Sequence, residues 1–210
     1  MCDKLDFPLK WDYVRAAPLA DLQISLRTWL QRVKPACLLH PHGFYVVLLR
    51  RADGEEWRLH YWPRGKRLVT GMPAYIHTHN CHVESRILKG RLSNSLHDVS
   101  SVETGGQPLY KVNYAGDRYV AATSNSLQRT AARVLTRVRQ EDTYCIGDMY
   151  HVERDAYHEA RVSEQDATST LVCMHERRPS PVMVVGLDGY PDEIKFTRAE
   201  QGTLDFGEWV

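Results

Sequence analysis

The sequence has 210 residues, 43% hydrophobic and 25% charged, the composition of an ordinary globular chain long enough to bury a core. A formal net charge of +1 supplies no global field, so neither nucleic acid nor an acidic membrane surface is an expected partner. No run of about 18 apolar residues occurs, which argues against a transmembrane helix.

The N-terminal stretch Met1 to Arg15 mixes Asp, Lys and Trp without an apolar centre, so a secretory signal is not expected. The first predicted element is a helix over Pro18 to Val33. Leu19, Leu22, Leu26, Trp29, Leu30 and Val33 recur at steps of three and four, giving one apolar face. Asp21 falls in the first turn, where the helix dipole favours a carboxylate, and Pro35 ends the segment. This helix is expected to pack on the outside of a sheet.

From Phe44 onward the pattern becomes that of strands. Phe44 to Arg51 is β-branched and aromatic, and Asp53-Gly54 signals a hairpin. In the returning strand Trp57, Leu59 and Tyr61 alternate with Arg58, His60 and Trp62. Tyr75 to His79 and Arg86 to Leu96 are further strand candidates, with a bend at Lys89-Gly90. A hairpin is expected at Ala115-Gly116-Asp117, between Leu109 to Tyr114 and Tyr119 to Thr123. Ser124 to Gln140 is ambiguous, helical at its start and strand-like in RVLTRVRQ. Thr143 to Ile146, Glu159 to Val162, Thr170 to His175 and Val182 to Val185 complete the strand candidates. Many short strands after one leading helix predict an all-β antiparallel barrel or sandwich. The expected organisation is a single domain, with residues 1–40 as a helical arm on a barrel formed by 41–210.

The five cysteines, Cys2, Cys37, Cys81, Cys145 and Cys173, are widely spaced and form no CxxC pair. That pattern predicts reduced thiols and a cytoplasmic location, and excludes a zinc ribbon. The run Arg129, Arg133, Arg137 and Arg139 lacks interleaved aromatics and reads as a solvated face.

The chemistry concentrates in Gly71 to Gly90, GMPAYIHTHNCHVESRILKG. Residues two apart on a strand share a face, so His77 and His79 can present two imidazoles to one metal while Thr78 faces away. Glu84 follows five residues later, as a fourth ligand or as a group orienting a ligand. Cys81 is expected to turn away. His158, with His151 as its competitor, is the candidate third ligand. Arg58, Arg86, Tyr61, Tyr144, Tyr157 and His175 are candidate pocket residues, because a buried arginine can hold a carboxylate or phosphate through two parallel hydrogen bonds.

Gly71, His77-x-His79, Glu84 and Gly90 together resemble the first cupin motif, with the last gap one residue short. Gly147-Asp148 followed by Ala156-Tyr157-His158 loosely resembles the second. Within the cupins, IHTHNCH with RILKGRL, then YCIGDMYHVERDAYHEARV and TLVCMHERRP, resemble the three-histidine iron thiol dioxygenases of the cysteine dioxygenase type, over roughly Phe44 to Pro179. The resemblance implies a cupin barrel, Fe(II) held by His77, His79 and His158, and O2 with a small thiol- or amine-bearing substrate. The family's cross-linked cysteine is replaced by Val83 or Glu84, its partner tyrosine by His175, and its substrate-gripping arginine is missing from Tyr45 to Leu49. The resemblance therefore implies the metal site more than it implies cysteine as substrate. Two other functions fit the same motif. One is a cupin lyase, isomerase or hydrolase using Zn, Mn or Ni as a Lewis acid. The other is a non-enzymatic cupin that binds a small molecule. A monomer or homodimer is expected.

Overall fold

The structure is a computed structural model, and it describes residues 8–116, 123–201 and 206–210. Two helices lead the chain, α1 (Trp11–Ala16) and α2 (Leu19–Val33). Among the described residues thirteen strands follow: β1 (Cys37–Leu39), β2 (Tyr45–Ala52), β3 (Glu55–Trp62), β4 (His82–Lys89), β5 (Arg91–Val102), β6 (Gln107–Asn113), β7 (Asn125–Cys145), β8 (Met149–Val152), β9 (Tyr157–Arg161), β10 (Thr168–His175), β11 (Met183–Val185), β12 (Glu193–Phe196) and β13 (Glu200–Gln201). They form a seven-stranded sheet in the order β13-β1-β2-β3-β10-β4-β8. The second sheet has six strands, in the order β11-β6-β7-β5-β9 with β12 beside β7. Every ladder between these strands is antiparallel. The all-β antiparallel class expected from the sequence is the class observed.

Helix α2 forms where its apolar face was read. Leu22, Leu26, Trp29 and Leu30 are buried against Trp57, Leu59, Tyr61, Leu171 and Cys173 on the outer face of the larger sheet. Lys34 ends the helix in a left-handed conformation (φ 46°), its N–H donating to the Leu30 carbonyl at 3.0 Å. Helix α1 escaped the sequence reading because its six residues are too few to show a period.

Hairpin β2–β3 turns at Asp53 and Gly54, both at positive φ (56° and 78°), as a tight two-residue turn requires. In β3 the period of two separates two surfaces. Trp57, Leu59 and Tyr61 join the helices, whereas Trp62 packs between the sheets with Val83, Ile87, Leu92 and Val172. Gly90 links β4 to β5 at φ 70°, and a Cβ there would strike the Ala167 carbonyl and Thr168.

The ambiguous segment after Ser124 belongs to β7, a 21-residue strand that also absorbs Thr143 to Cys145. Strand pairing on both sides overrides its early helical look. Of the expected Ala115-Gly116-Asp117 hairpin, positions 117–122 lie outside the described residues. The expected strand Tyr75 to His79 is corrected. Only an isolated bridge forms there, at His77, to His158 and to Val184. Among the described residues, no helix is long and apolar enough to cross a membrane.

Candidate metal centre

The segment carrying His77 and His79 is extended although it is not a ladder strand. His77 exchanges both backbone hydrogen bonds with His158 (3.0 and 2.9 Å), and Thr78 N–H donates to the Met183 carbonyl (2.9 Å). Thr78 faces away as expected, buried, with its hydroxyl accepting from Met183 N–H at 2.9 Å. His77 and His79 therefore point together into the space between the sheets, where β9 delivers His158.

The three imidazoles lie 4.7 Å (His77–His79), 4.7 Å (His77–His158) and 5.0 Å (His79–His158) apart between ring centroids. One nitrogen from each lies within 4.8 Å of the other two. His158 Nδ1–H donates to Asn94 Oδ1 on β5 at 2.8 Å, and His77 Nδ1–H donates to the Tyr75 carbonyl at 2.7 Å. Each bond fixes a tautomer that leaves the Nε2 lone pair available, the usual arrangement behind a metal-bound imidazole. His158 Nε2 is buried and has no hydrogen-bond partner. A buried nitrogen without a partner is costly, and a metal ion beside His77 and His79 would remove that cost. The residues present thus fit a three-imidazole metal site. Burial holds His77 below the ordinary histidine pKa and His158 well below it, the latter helped by the neighbouring histidines. Both are neutral at pH 7, the form that binds metal.

The cavity in front of these rings has two adjoining lobes of about 90 and 70 Å³, both reached by His77 and His79. Its walls include residues that the sequence reading missed. His40 and His42 precede β2, and the His42 ring lies 5.3 Å from His77. His60 comes from β3, on the same face as the predicted Arg58, and Arg198 from the C-terminal segment. Burial, reinforced by nearby cationic charge, lowers His42 to about 3 and takes His40 and His60 well below 6.5. Phe44 stacks on His40 (4.3 Å) and on Trp62 (4.7 Å), closing the apolar side. His40-x-His42 repeats the HxH spacing, and the alternation in β3 placed His60 beside Arg58, so both signals were present. Arg198 carries no local signal.

Of the predicted pocket residues, Arg58 reaches the cavity, buried and ion-paired with Glu56. The others are corrected. The Arg86 guanidinium donates to the carbonyls of Val14 and Ala17 (2.8 Å to the latter), so it serves the end of α1 on the outer face. Tyr61 stacks on Trp209 (4.6 Å) beneath the helices. Tyr157 packs with Leu109, Val134 and Val185, the face of β9 opposite His158. Tyr144 does not line the cavity and leans on Tyr150, which does (5.0 Å). His175 and Glu84 lie outside the barrel, where Glu84 accepts from His151 Nδ1 at 3.0 Å and lies 3.9 Å from His175. Glu84 touches none of the three inner histidines. His151 shares that outer surface and does not compete with His158. Cys81 is buried in the core between the sheets with Val83, Val152 and Met174, and is not one of the three clustered ligands.

No family model matches the chain, and no curated protein matches it in sequence. Among solved structures the chain is similar to a cupin-2 domain protein from Rhodospirillum rubrum, at 14% identity and a TM-score of 0.37, covering 71% of this chain and 68% of that one. It is similar to the DMSP lyase DddQ from Ruegeria pomeroyi, at 11% identity and a TM-score of 0.46, covering 88% and 81%. A third similarity is to the CENP-C cupin domain of Drosophila melanogaster, at 8% identity and a TM-score of 0.38, covering 76% and 99%.

Proposed function

We propose that this chain is a metal-dependent enzyme holding one divalent transition metal, Fe(II), through His77, His79 and His158, and that it oxidises a small polar, anionic substrate with O2. The observation that carries the reading is the convergence of three imidazoles on one point, with the buried Nε2 of His158 lacking any protein partner. When bound there, Fe(II) supplies Lewis acidity and the one-electron chemistry that O2 requires.

The chain's own residues do the rest. Asn94 and the Tyr75 carbonyl hold two ligand rings in a single orientation. Arg58, ion-paired with Glu56, and Arg198 line the same cavity, and a guanidinium there can hold a carboxylate or a similar anion on the substrate. Phe44, Trp62, Val83 and Val172 exclude water from the other side. Thiol- or amine-bearing acids are the class to try first, because they combine an anion for the arginines with a donor atom that can face the histidines.

A second reading is supported by His40, His42 and His60, three neutral imidazoles around one cavity, each able to offer a substrate one N–H donor or one acceptor nitrogen. It assigns a Zn, Mn or Ni centre performing elimination, isomerisation or hydrolysis. Metal analysis of freshly purified protein, followed by oxygen-uptake assays with thiols and amino acids, separates the two. One iron per chain with substrate-dependent O2 consumption is expected. Stoichiometric zinc without O2 uptake on any substrate would replace the first reading with the second.

A further inference from the structure

On the outer face of the larger sheet a second group of histidines meets a set of glutamates. Strand β4 brings His82 and Glu84, β8 brings His151, and Glu153 follows β8 directly. The register pairs Glu84 with His151 and Val83 with Val152, so its continuation sets His82 opposite Glu153. The period of two keeps these four side chains on one face, a square of alternating imidazole and carboxylate.

The atoms converge at its centre. Glu153 Oε2 lies 3.0 Å from His82 Nδ1, and Glu153 Oε1 lies 3.1 Å from His151 Nε2. His82, His151 and Glu153 each offer an atom within 4.8 Å of the others. Ligand atoms around a tetrahedral zinc stand about 3.3 Å apart, given bonds of about 2.0–2.1 Å. The His82 Nδ1 atom is buried and makes no hydrogen bond, although Glu153 is so near. Two groups side by side, both lone pairs turned to a common point, produce that combination. Glu84 holds the other nitrogen of His151 at 3.0 Å, as a carboxylate does behind a metal-bound imidazole.

We propose that His82 Nδ1, His151 Nε2 and the Glu153 carboxylate form a second divalent transition-metal site of the zinc class, separate from the inner centre. Glu84 is its positioning residue. The site clamps the chain around the inner ligands. Asp155, two residues after Glu153, donates its N–H to the His79 carbonyl at 2.8 Å, and His82 follows His79 by three residues. An ion bridging β4 to Glu153 thus fastens both segments that flank His79, and the turn from 153 leads on to His158.

The test is titration of the metal-free full-length chain with ZnCl2, and with CoCl2 read by absorbance. The wild type is expected to take up two equivalents. Combined His151→Gln and Glu153→Gln removes one, and His77→Ala with His79→Ala removes the other. Glu84→Gln is expected to weaken only the outer equivalent, by about tenfold. Unchanged zinc uptake in the His151/Glu153 variant overturns the proposal. These two side chains are partly or largely exposed (35% and 69%), so their variants keep the test valid even if the inner double variant fails to fold. A wild type binding one equivalent, lost only from the outer variant, supports this site and overturns the inner one.

Discussion

Two histidine clusters, one between the two sheets and one on the outer face of the larger sheet, differ in almost every physical respect. The inner rings of His77, His79 and His158 are tilted against one another by 46–81° and are oriented by an amide and a backbone carbonyl. The outer rings of His82, His151 and His175 stack nearly parallel, at 19° and 23°, among Glu84, Glu153 and Glu176. Neutral donors alone leave a bound cation its full charge, which favours chemistry on an anion. Carboxylates reduce that charge and favour retention of the ion. The residue type is shared, and burial with the identity of the neighbours decides the role.

Removing the deepest inner ligand should break the comparison most completely. His158→Ala is expected to lose the inner metal and all activity while keeping the outer equivalent, as read by metal analysis. Full inner occupancy in that variant would remove His158 from the ligand set. Asn94→Ala should lower inner metal affinity by about 10- to 100-fold, because the ring loses its orienting acceptor. The same variant should unfold at lower denaturant, by about 1–3 kcal/mol, since the buried His158 Nδ1–H is left unpaired. Arg198→Ala is expected to raise KM about tenfold for an anionic substrate with metal content unchanged, the loss of one charge-assisted hydrogen bond. Equal loss for anionic and neutral substrates would refute a role in charge recognition.

Acid should act through the inner face. His42 is lowered to about 3 from the ordinary 6.5, so the unfolded chain takes up its proton first as pH falls. The stability this group contributes is complete above about pH 6.5 and is lost progressively towards pH 3. Denaturation of metal-free protein across that range should show it, and His42→Gln should flatten the curve. The smallest effect belongs to Glu84→Gln, which should leave inner metal content unchanged and move stability by no more than about 0.5 kcal/mol. A drop in inner metal would return Glu84 to that site.

Much of this was legible in the chain. The hairpin at Asp53-Gly54 and the helix after Pro18 are local patterns found where expected, and the HxH pair shares one face as expected, although on an extended segment that is not a strand. Most errors among the site residues share one cause, strand parity. Val83 and Ile87 face inward, so His82, Glu84 and Arg86 face out. His77 and His79 share odd parity with Val83 and Ile87, so counting on from the inward HxH pair across the bend at Asn80 and Cys81 already sets these three outward. Tyr157 and His175 could have been excluded by parity, since the first adjoins His158 and the second alternates with Val172 and Met174. Asn94 shares its parity with Leu92 and Leu96, which pack in the interior, yet its role depends on β9 lying alongside. Arg198 reaches the cavity only through tertiary folding.

The insertion of β10 between β3 and β4 has a consequence for how the molecule is made. Glu56 must find Met174, and Val83 must find the same residue, each across about half of the chain. On the ribosome, the larger sheet stays split until residues near 175 have emerged, with the edges of β3 and β4 both open. Such distant pairing makes assembly slow and leaves the nascent chain dependent on protection from aggregation until that late strand is seated.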